Sequence, residues 1–260
     1  MAIHLKGGDE LKLMREAGRI VARCHEAMRE AVRPGINTLE LNQIAERVLA
    51  QHDARAAFLG YPYGSENPFP AAITASINDE IVHGIPSADR ILREGDLLSL
   101  DIGVIYKGYI GDAAFSIGVG EISTEVAHLL EVTEASLYEG IRASVPGNSI
   151  RDVALAVQTF VEAEGYSVVR DYSGHGVGRK LHEDPSVPNW WPRRRQRAWK
   201  PIPLKAGMTY AIEPMVCAGS AETRERDDHW TVVTADGSLC AHFEHTIAVQ
   251  EGEPWVLTVL

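Results

Sequence analysis

DLLSLDIGVIYKGYIGDAAFSIG, from Asp96 to Gly118, carries two period-2 alternations on either side of one turn. Leu98, Leu100, Ile102 and Val104 alternate with Ser99, Asp101 and Gly103, the pattern of a strand with one apolar face. Tyr106-Lys107-Gly108-Tyr109 supplies the glycine that a tight turn needs. Beyond it, Ile110, Asp112, Ala114 and Ser116 share one face of a second strand. A hairpin closed within one register step of this turn sets Asp101 and Asp112 nearly opposite each other on the same face. Two opposed carboxylates repel and raise one another's pKa. Either a cation lies between them or the face is open to solvent, and the hairpin alone leaves both readings standing.

The bulk composition narrows the class. At 260 residues the chain can bury a substantial core, as one domain or as two fused halves. Its net charge of −11 argues against general binding to nucleic acid or anionic membranes. The N-terminal MAIHLKGGDE has no apolar signal core, and nowhere is there a run of about 18 apolar residues. Cys24, Cys217 and Cys240 are widely spaced with no CxxC, so neither a disulfide framework nor a thiolate zinc site is expected. A soluble enzyme of the reducing cytoplasm, with no membrane partner, is the expectation.

Working outward, Asp9 to Arg33 reads as an amphipathic helix with Leu11, Met14, Ala17, Ile20, Val21, Cys24 and Met28 on one stripe. Pro34-Gly35 ends it, and Thr38 caps a second helix to about Ala50. A Gly-, Pro- and aromatic-rich loop, Leu59 to Pro70, leads to a strand from Ala71 to Ile77, an Asn78-Asp79 turn and a short extended piece through Ile81 to Pro86. After Gly120 the pattern restarts, with helices over Thr124 to Ala143 and Ser149 or Ile150 to Glu164, separated by Pro146-Gly147. Pro34-Gly35 and Pro146-Gly147 stand 112 residues apart, and the same offset carries Asp101 onto Glu213. Glu213 sits in the strand-like run Gly207 to Val216, GMTYAIEPMV. Further strands are expected at Trp230 to Thr234 and, after an ADGS turn, at Leu239 to Val249, where His242, Glu244 and Thr246 form the polar face. The chain thus reads as two diverged copies of a helix pair plus antiparallel sheet, roughly residues 9–120 and 121–250, packed as one domain over 1–260.

Each half offers two strand-borne acids, Asp101 and Asp112, then Glu213 and Glu244. Four acids facing one cleft repel prohibitively without metal. With two divalent cations and mixed O/N ligation, Mn, Fe, Co or Zn becomes the fitting partner. His175 lies between glycines that let backbone pass close to a crowded centre. His83 and His182 flank Gly- or Pro-rich turns and are candidates for substrate contact; the alternative for each histidine is an ordinary surface or core position. GHGVG lacks the GxGxxG spacing and a following helix, so a dinucleotide loop is set aside.

The runs NDEIVHGIP, LDIGVIYKGYIGDAA, GHGVGRKLHEDP, GMTYAIEPM and FEHT together resemble the motif set of type I methionine aminopeptidases, over about residues 9 to 258. The resemblance implies an α+β pita-bread fold of two pseudo-symmetric halves, and removal of the initiator methionine from nascent chains with a small second residue. It implies a dinuclear site in which Asp112 and Glu244 bridge, Asp101 completes one metal, and His175 with Glu213 completes the other. A bridging water of lowered pKa would be the nucleophile, with Glu213 passing its proton to the leaving amine. His83 would contact the scissile nitrogen and His182 the oxyanion. Tyr61, Phe69, Thr74, Leu181 and Trp230 match positions of the methionine pocket. Thr74 and Phe58 stand where many relatives have cysteine, and the loop Pro62 to Pro68 is a few residues longer. The family's habit implies a monomer, in the bacterial form without a ribosome-binding extension. Prolidase or Xaa-Pro aminopeptidase shares this fold and ligand set and is the competing enzyme reading; a binding protein on the same fold would have lost ligands.

One segment departs from the family pattern. NWWPRRRQRAWK, Asn189 to Lys200, sets Trp190, Trp191 and Trp199 among Arg193, Arg194, Arg195, Arg197 and Lys200. It reads either as a contact for ribosomal RNA or as a solvated loop whose tryptophans fold onto the body.

Overall fold

The computed structural model of the chain describes residues 3–192 and 199–260. The opening hairpin is formed by Leu97–Tyr106 and Tyr109–Gly118, paired antiparallel from Leu97–Gly118 to Tyr106–Tyr109. Lys107 and Gly108 both have positive φ, +47° and +81°, the backbone of the primed two-residue turn whose twist matches the flanking strands. That turn fixes the register. Asp101 lies opposite Ala114 and Asp112 opposite Gly103, so the aspartates are diagonal neighbours on one face rather than direct partners. The single apolar face expected of Leu97–Tyr106 is also corrected, because nearly the whole strand is buried. Helix α1 (Gly8–Ala31) packs on the hairpin, and its buried stripe includes Met14, Ala17, Ile20, Val21, Cys24 and Met28.

Helix α2 (Thr38–Gln51) packs against α1, and its cap is Asn37 rather than Thr38. Asn37 Oδ1 accepts the Glu40 N–H at 2.9 Å while the Glu40 carboxylate accepts the Asn37 N–H at 3.0 Å, a reciprocal capping box. The Thr38 hydroxyl is occupied elsewhere, donating to the Ser87 carbonyl and accepting the Ser87 N–H. The strand expected from Ala71 begins only at Thr74 (Thr74–Ile77), since the N–H groups of Ala72 and Ile73 donate to Asn42 Oδ1 on α2 instead of to a ladder. Helices α3 (Thr124–Ala143) and α4 (Ile150–Ala163) pack together in the second half.

The second-half sheet corrects two expected runs. Thr209–Ile212 and Met215–Cys217 are separate strands, as are Cys240–His242 and His245–Ala248. Pro214 has no N–H to give, so the ladder is interrupted there. The register is nevertheless the same on both sides, Ile212 with His245 and Met215 with His242, which sets Glu213 opposite Glu244 across the gap. The strand expected from Trp230 starts at Val232 (Val232–Thr234). Cys217 and Cys240 are cross-strand partners with sulfurs 3.3 Å apart, both free and buried, although the sequence spaces them widely.

Among the contacts that join the halves, one set runs beside the strand pair that carries Asp112. Tyr109–Gly118 lies along Cys240–His242 and His245–Ala248, with Glu244 in the break between them. Thr246 Oγ1 accepts the Asp112 N–H at 3.0 Å and donates to the Asp112 carbonyl at 2.7 Å. Reciprocally, Ser116 Oγ accepts the His242 N–H at 2.9 Å and donates to its carbonyl at 2.8 Å. Between them the Glu244 N–H donates to the Ala114 carbonyl at 2.9 Å. An edge strand must satisfy its outward backbone groups, and this one uses the other half to do so.

Thr246→Val keeps the shape of a fully buried side chain but leaves the N–H and C=O of Asp112 without their hydroxyl partner. At about 1–3 kcal/mol for each stranded group, the variant should lose roughly 2–5 kcal/mol in chemical denaturation, whereas Thr246→Ser should recover most of it. A Thr246→Val midpoint within error of the parent would show that this contact does not hold the halves.

Candidate metal centre and substrate cavity

Asp101, Asp112, His175, Glu213 and Glu244 all line one cavity of about 170 Å³. Asp101 and Asp112 come from the hairpin, Glu213 and Glu244 from the paired strand breaks, and His175 from the short strand Gly174–Gly176. The glycines beside His175 are a packing requirement. A Cβ on Gly174 would stand 2.3 Å from the Ala211 carbonyl oxygen, and one on Gly176 2.3 Å from that of Asp184. No helix follows this strand, and residues 177–182 form a loop.

The donor atoms are spaced for cations rather than for one another. His175 Nε2 is 3.8 Å from Asp112 Oδ2 and 3.7 Å from Glu213 Oε1. Those separations are beyond a hydrogen bond, yet within the roughly 4.4 Å that two donors each about 2.2 Å from a shared ion can span. One ligand atom from each of Asp112, His175 and Glu244 lies within 4.8 Å of the others. Asp101 Oδ1, Asp112 Oδ1 and Glu244 Oε1 are buried with no hydrogen-bond partner among the described residues. Buried carboxylate oxygens without partners are costly. A divalent cation is the chemistry that fits this donor set.

Electrostatics point the same way. Burial pushes the Asp112 carboxyl up to about 7. Asp101 and Glu244 are raised well above the carboxylate range, by burial first and then by their neighbours' charge, and Glu213 by burial and then by Asp112. His175 is held down to about 3 by burial, which keeps its imidazole neutral, the form that ligates metal.

The remaining wall is substrate-sized and largely apolar. Tyr61, Phe69, Thr74, Leu181 and Trp230 line the same cavity, with Phe58 beside them. Phe69 meets Trp230 edge-on with centroids 5.1 Å apart, and Thr74 is the direct strand partner of Asp101. His83 and His182 also line it. His83 has a positive φ of +61° and stands edge-on to both Tyr172 and Trp230, 6.0 Å from each; burial lowers its pKa to about 4. A non-glycine residue in that conformation is a mark of functional sites. His182 is at the exposed rim, its ring 4.2 Å from that of His175.

Sequence reasoning missed five cavity residues, Val82, Tyr172, Ser173, Met215 and His242. His242 is buried, its Nε2 is 3.9 Å from Glu213 Oε2, and its signal was legible, since it sits two residues before Glu244 on the same strand face. Of the unusual segment, Trp190, Trp191 and Trp199 fold onto one another, with centroids 4.8 and 5.0 Å from Trp199, and Trp190 Nε1 donates to the Arg170 carbonyl. Arg193, Arg194, Arg195 and Arg197 lie outside the described residues.

Residues 12–251 match the profile of Metallopeptidase family M24. The chain belongs to that family. It is 50% identical over 242 residues to "Methionine aminopeptidase 1" of Bacillus subtilis, covering 93% of each chain. Its fold superposes on a crystal structure of methionine aminopeptidase from Thermotoga maritima with a TM-score of 0.93, at 38% identity and full coverage of both chains. A prolidase from Pyrococcus horikoshii shares the fold, with a TM-score of 0.77 at 20% identity, but this chain spans only 63% of it. The pita-bread architecture follows from these likenesses, and so does use of divalent metal ions by this M24 metallopeptidase.

Without a cation the carboxylates should make stability fall as pH rises. Between the ordinary value of 3.8 and about 7, the folded chain keeps a proton on Asp112 that the unfolded chain has released. The unfolded state then binds fewer protons, so the slope of unfolding free energy with pH is negative in that window. Asp101, Glu213 and Glu244 are raised in the same direction and add to it. Buried histidines whose pKa values are lowered act in the opposite sense, so the carboxylate contribution is read as a difference: from pH 5 to pH 7.5 the thermal midpoint of chelator-treated parent should fall relative to that of chelator-treated Asp112→Asn, and added divalent metal should restore the parent. A difference that is flat or rising over that range would count against the buried cluster.

Proposed function

We propose that this M24 enzyme hydrolyses the first peptide bond of chains that begin with methionine, releasing that methionine when the second residue is small. The observation that carries the reading is the convergence of five metal-type donors and three further imidazoles on one cavity with a mainly apolar wall. Curated relatives named methionine aminopeptidase cover nearly the whole chain and support it.

Asp112 and Glu244 would be shared by two divalent cations, with Asp101 completing one site and His175 with Glu213 the other. Two such ions would supply Lewis acidity and a nucleophilic water at neutral pH, and Co, Mn, Fe or Zn each suits these O/N donors. Glu213 takes up the proton of the attacking water and delivers it to the departing amine, a role that its place in the cavity beside His175 supports. His242, with Nε2 3.9 Å from Glu213 Oε2, borders that carboxylate without a hydrogen bond to it. His83 meets the scissile nitrogen, and its left-handed backbone turns the ring between Tyr172 and Trp230. His182 donates to the oxyanion at the rim. Tyr61, Phe69, Thr74, Leu181 and Trp230, with Phe58, receive the methionine side chain.

Residues 1–260 work as a single catalytic domain whose halves are roughly 9–120 and 121–250. Nascent polypeptide N-termini are the substrate and the enzyme acts as a cytoplasmic monomer; no helix among the described residues is long and apolar enough to cross a membrane. The packing of Trp190, Trp191 and Trp199 on one another, with Trp190 and Trp191 against the core, supports tryptophans folded onto the body over a ribosome contact through Asn189–Lys200. Xaa-Pro cleavage is the weaker reading, because that likeness extends to fold alone.

The test is an assay of metal-free protein with added Co, Mn, Fe or Zn on Met-Ala-Ser and on Xaa-Pro peptides. Methionine release is the expected result; cleavage of Xaa-Pro alone, or of neither with every metal, overturns the reading. Glu213→Gln should lower kcat by about 10²–10⁴-fold on the same peptide, and near-parental turnover would remove Glu213 from its proton-transfer role.

A further inference from the structure

Tyr61 reads from its surroundings as part of an apolar pocket, yet its hydroxyl makes a specific polar contact. Tyr61 Oη is 2.8 Å from His182 Nδ1, and the two rings meet at 45° with centroids 5.4 Å apart. The pair therefore meets edge to edge through a hydrogen bond rather than by stacking. The backbone around His182 is already held: the Glu183 carboxylate accepts the N–H groups of Arg179 and Lys180 at 2.8 and 3.1 Å and pairs with the buried Lys6 Nζ at 2.6 Å. That clamp, built from the N-terminal segment, fixes the loop but leaves the imidazole free to turn and to choose its tautomer.

We propose that Tyr61 is a positioning residue that holds His182 with its proton on Nε2, so that the ring edge away from Tyr61 is a hydrogen-bond donor in the cavity. A neutral imidazole has one donor and one acceptor nitrogen, and the partner of one nitrogen decides the state of the other. A phenol is a good donor and a poor acceptor, whereas an imidazole nitrogen without a proton is a good acceptor. The Tyr61–His182 contact therefore runs from the Tyr61 O–H to Nδ1, and the ring proton is left on Nε2. The opposite tautomer would present a lone pair to the cavity and repel a developing oxyanion. The inference rests on the reading of His182 as the oxyanion-side donor, and it adds the group that makes it one. No change in net charge and no proton transfer during turnover is involved.

The test uses full-length protein with ¹⁵N-labelled histidine, loaded with zinc, in two-bond ¹H–¹⁵N correlation spectra that report which ring nitrogen carries the proton; His182→Gln identifies the signals. The parent should show His182 protonated at Nε2. Tyr61→Phe, which keeps the aromatic ring, should shift His182 toward the Nδ1–H form or a mixture. On Met-Ala-Ser with the best activating metal, the same variant should lose about five- to twentyfold in kcat while KM changes by less than about twofold. An Nδ1–H parent, or a Tyr61→Phe spectrum identical to the parent's, overturns the proposal. So does a shifted tautomer with unchanged kcat in an enzyme that His182→Ala impairs. If His182→Ala keeps full kcat while Tyr61→Phe still shifts the tautomer, the hydrogen-bond inference stands and the oxyanion assignment falls.

Discussion

Two hydroxyl groups, Thr246 Oγ1 and Ser116 Oγ, hold the two halves of this protein in register. Each accepts the N–H and donates to the C=O of one residue on the opposing strand, Asp112 and His242 respectively. With the Glu244 N–H on the Ala114 carbonyl between them, they align Tyr109–Gly118 against the strands around Glu244. A shift along this seam would strand buried backbone groups on both sides, so the alignment is strongly specified. Asp112 and Glu244 face the same cavity because of it, and the rest of the centre is built outward from that pair.

The price of bringing so many carboxylates together is visible in their chemistry. Burial raises Asp101, Asp112, Glu213 and Glu244, neighbouring charge adds to it at all but Asp112, and several of their oxygens have no partner among the described residues. Such an arrangement opposes folding unless a cation compensates, so binding and stability are coupled at this site. The neutral imidazoles of His175, His83 and His242, all held low by burial, add donors without adding charge. The cavity thus combines a carboxylate-rich, metal-binding floor with an aromatic wall in which Phe69 and Trp230 meet edge-on. A peptide N-terminus with an apolar first side chain matches both surfaces.

Much of the architecture was legible because it is local. The period of α1, the Lys107-Gly108 turn and the two Pro-Gly breaks follow from apolar spacing and backbone preference. Errors arose where a distant group intervened. Thr38 lost the cap of α2 because its hydroxyl pairs with Ser87, and the strand at Ala71 starts late because Asn42 takes its first N–H groups. The run around Glu213 is cut by Pro214, whose bias toward extended backbone is local but whose missing donor matters only in a ladder.

The amino-acid sequence by itself determined which residue types could serve as ligands, that Asp101 and Asp112 ride on strands, and that Asp101 and Glu213 are related by an internal offset. These follow from alternation and turn chemistry, which need only near neighbours. Tertiary structure alone decided that Asp101 and Asp112 are diagonal, that Glu213 stands across from Glu244, that His242 borders the site, and that Tyr61 reaches His182. Each depends on register or on contacts between distant segments, where a single residue's slip moves every side chain to the other face.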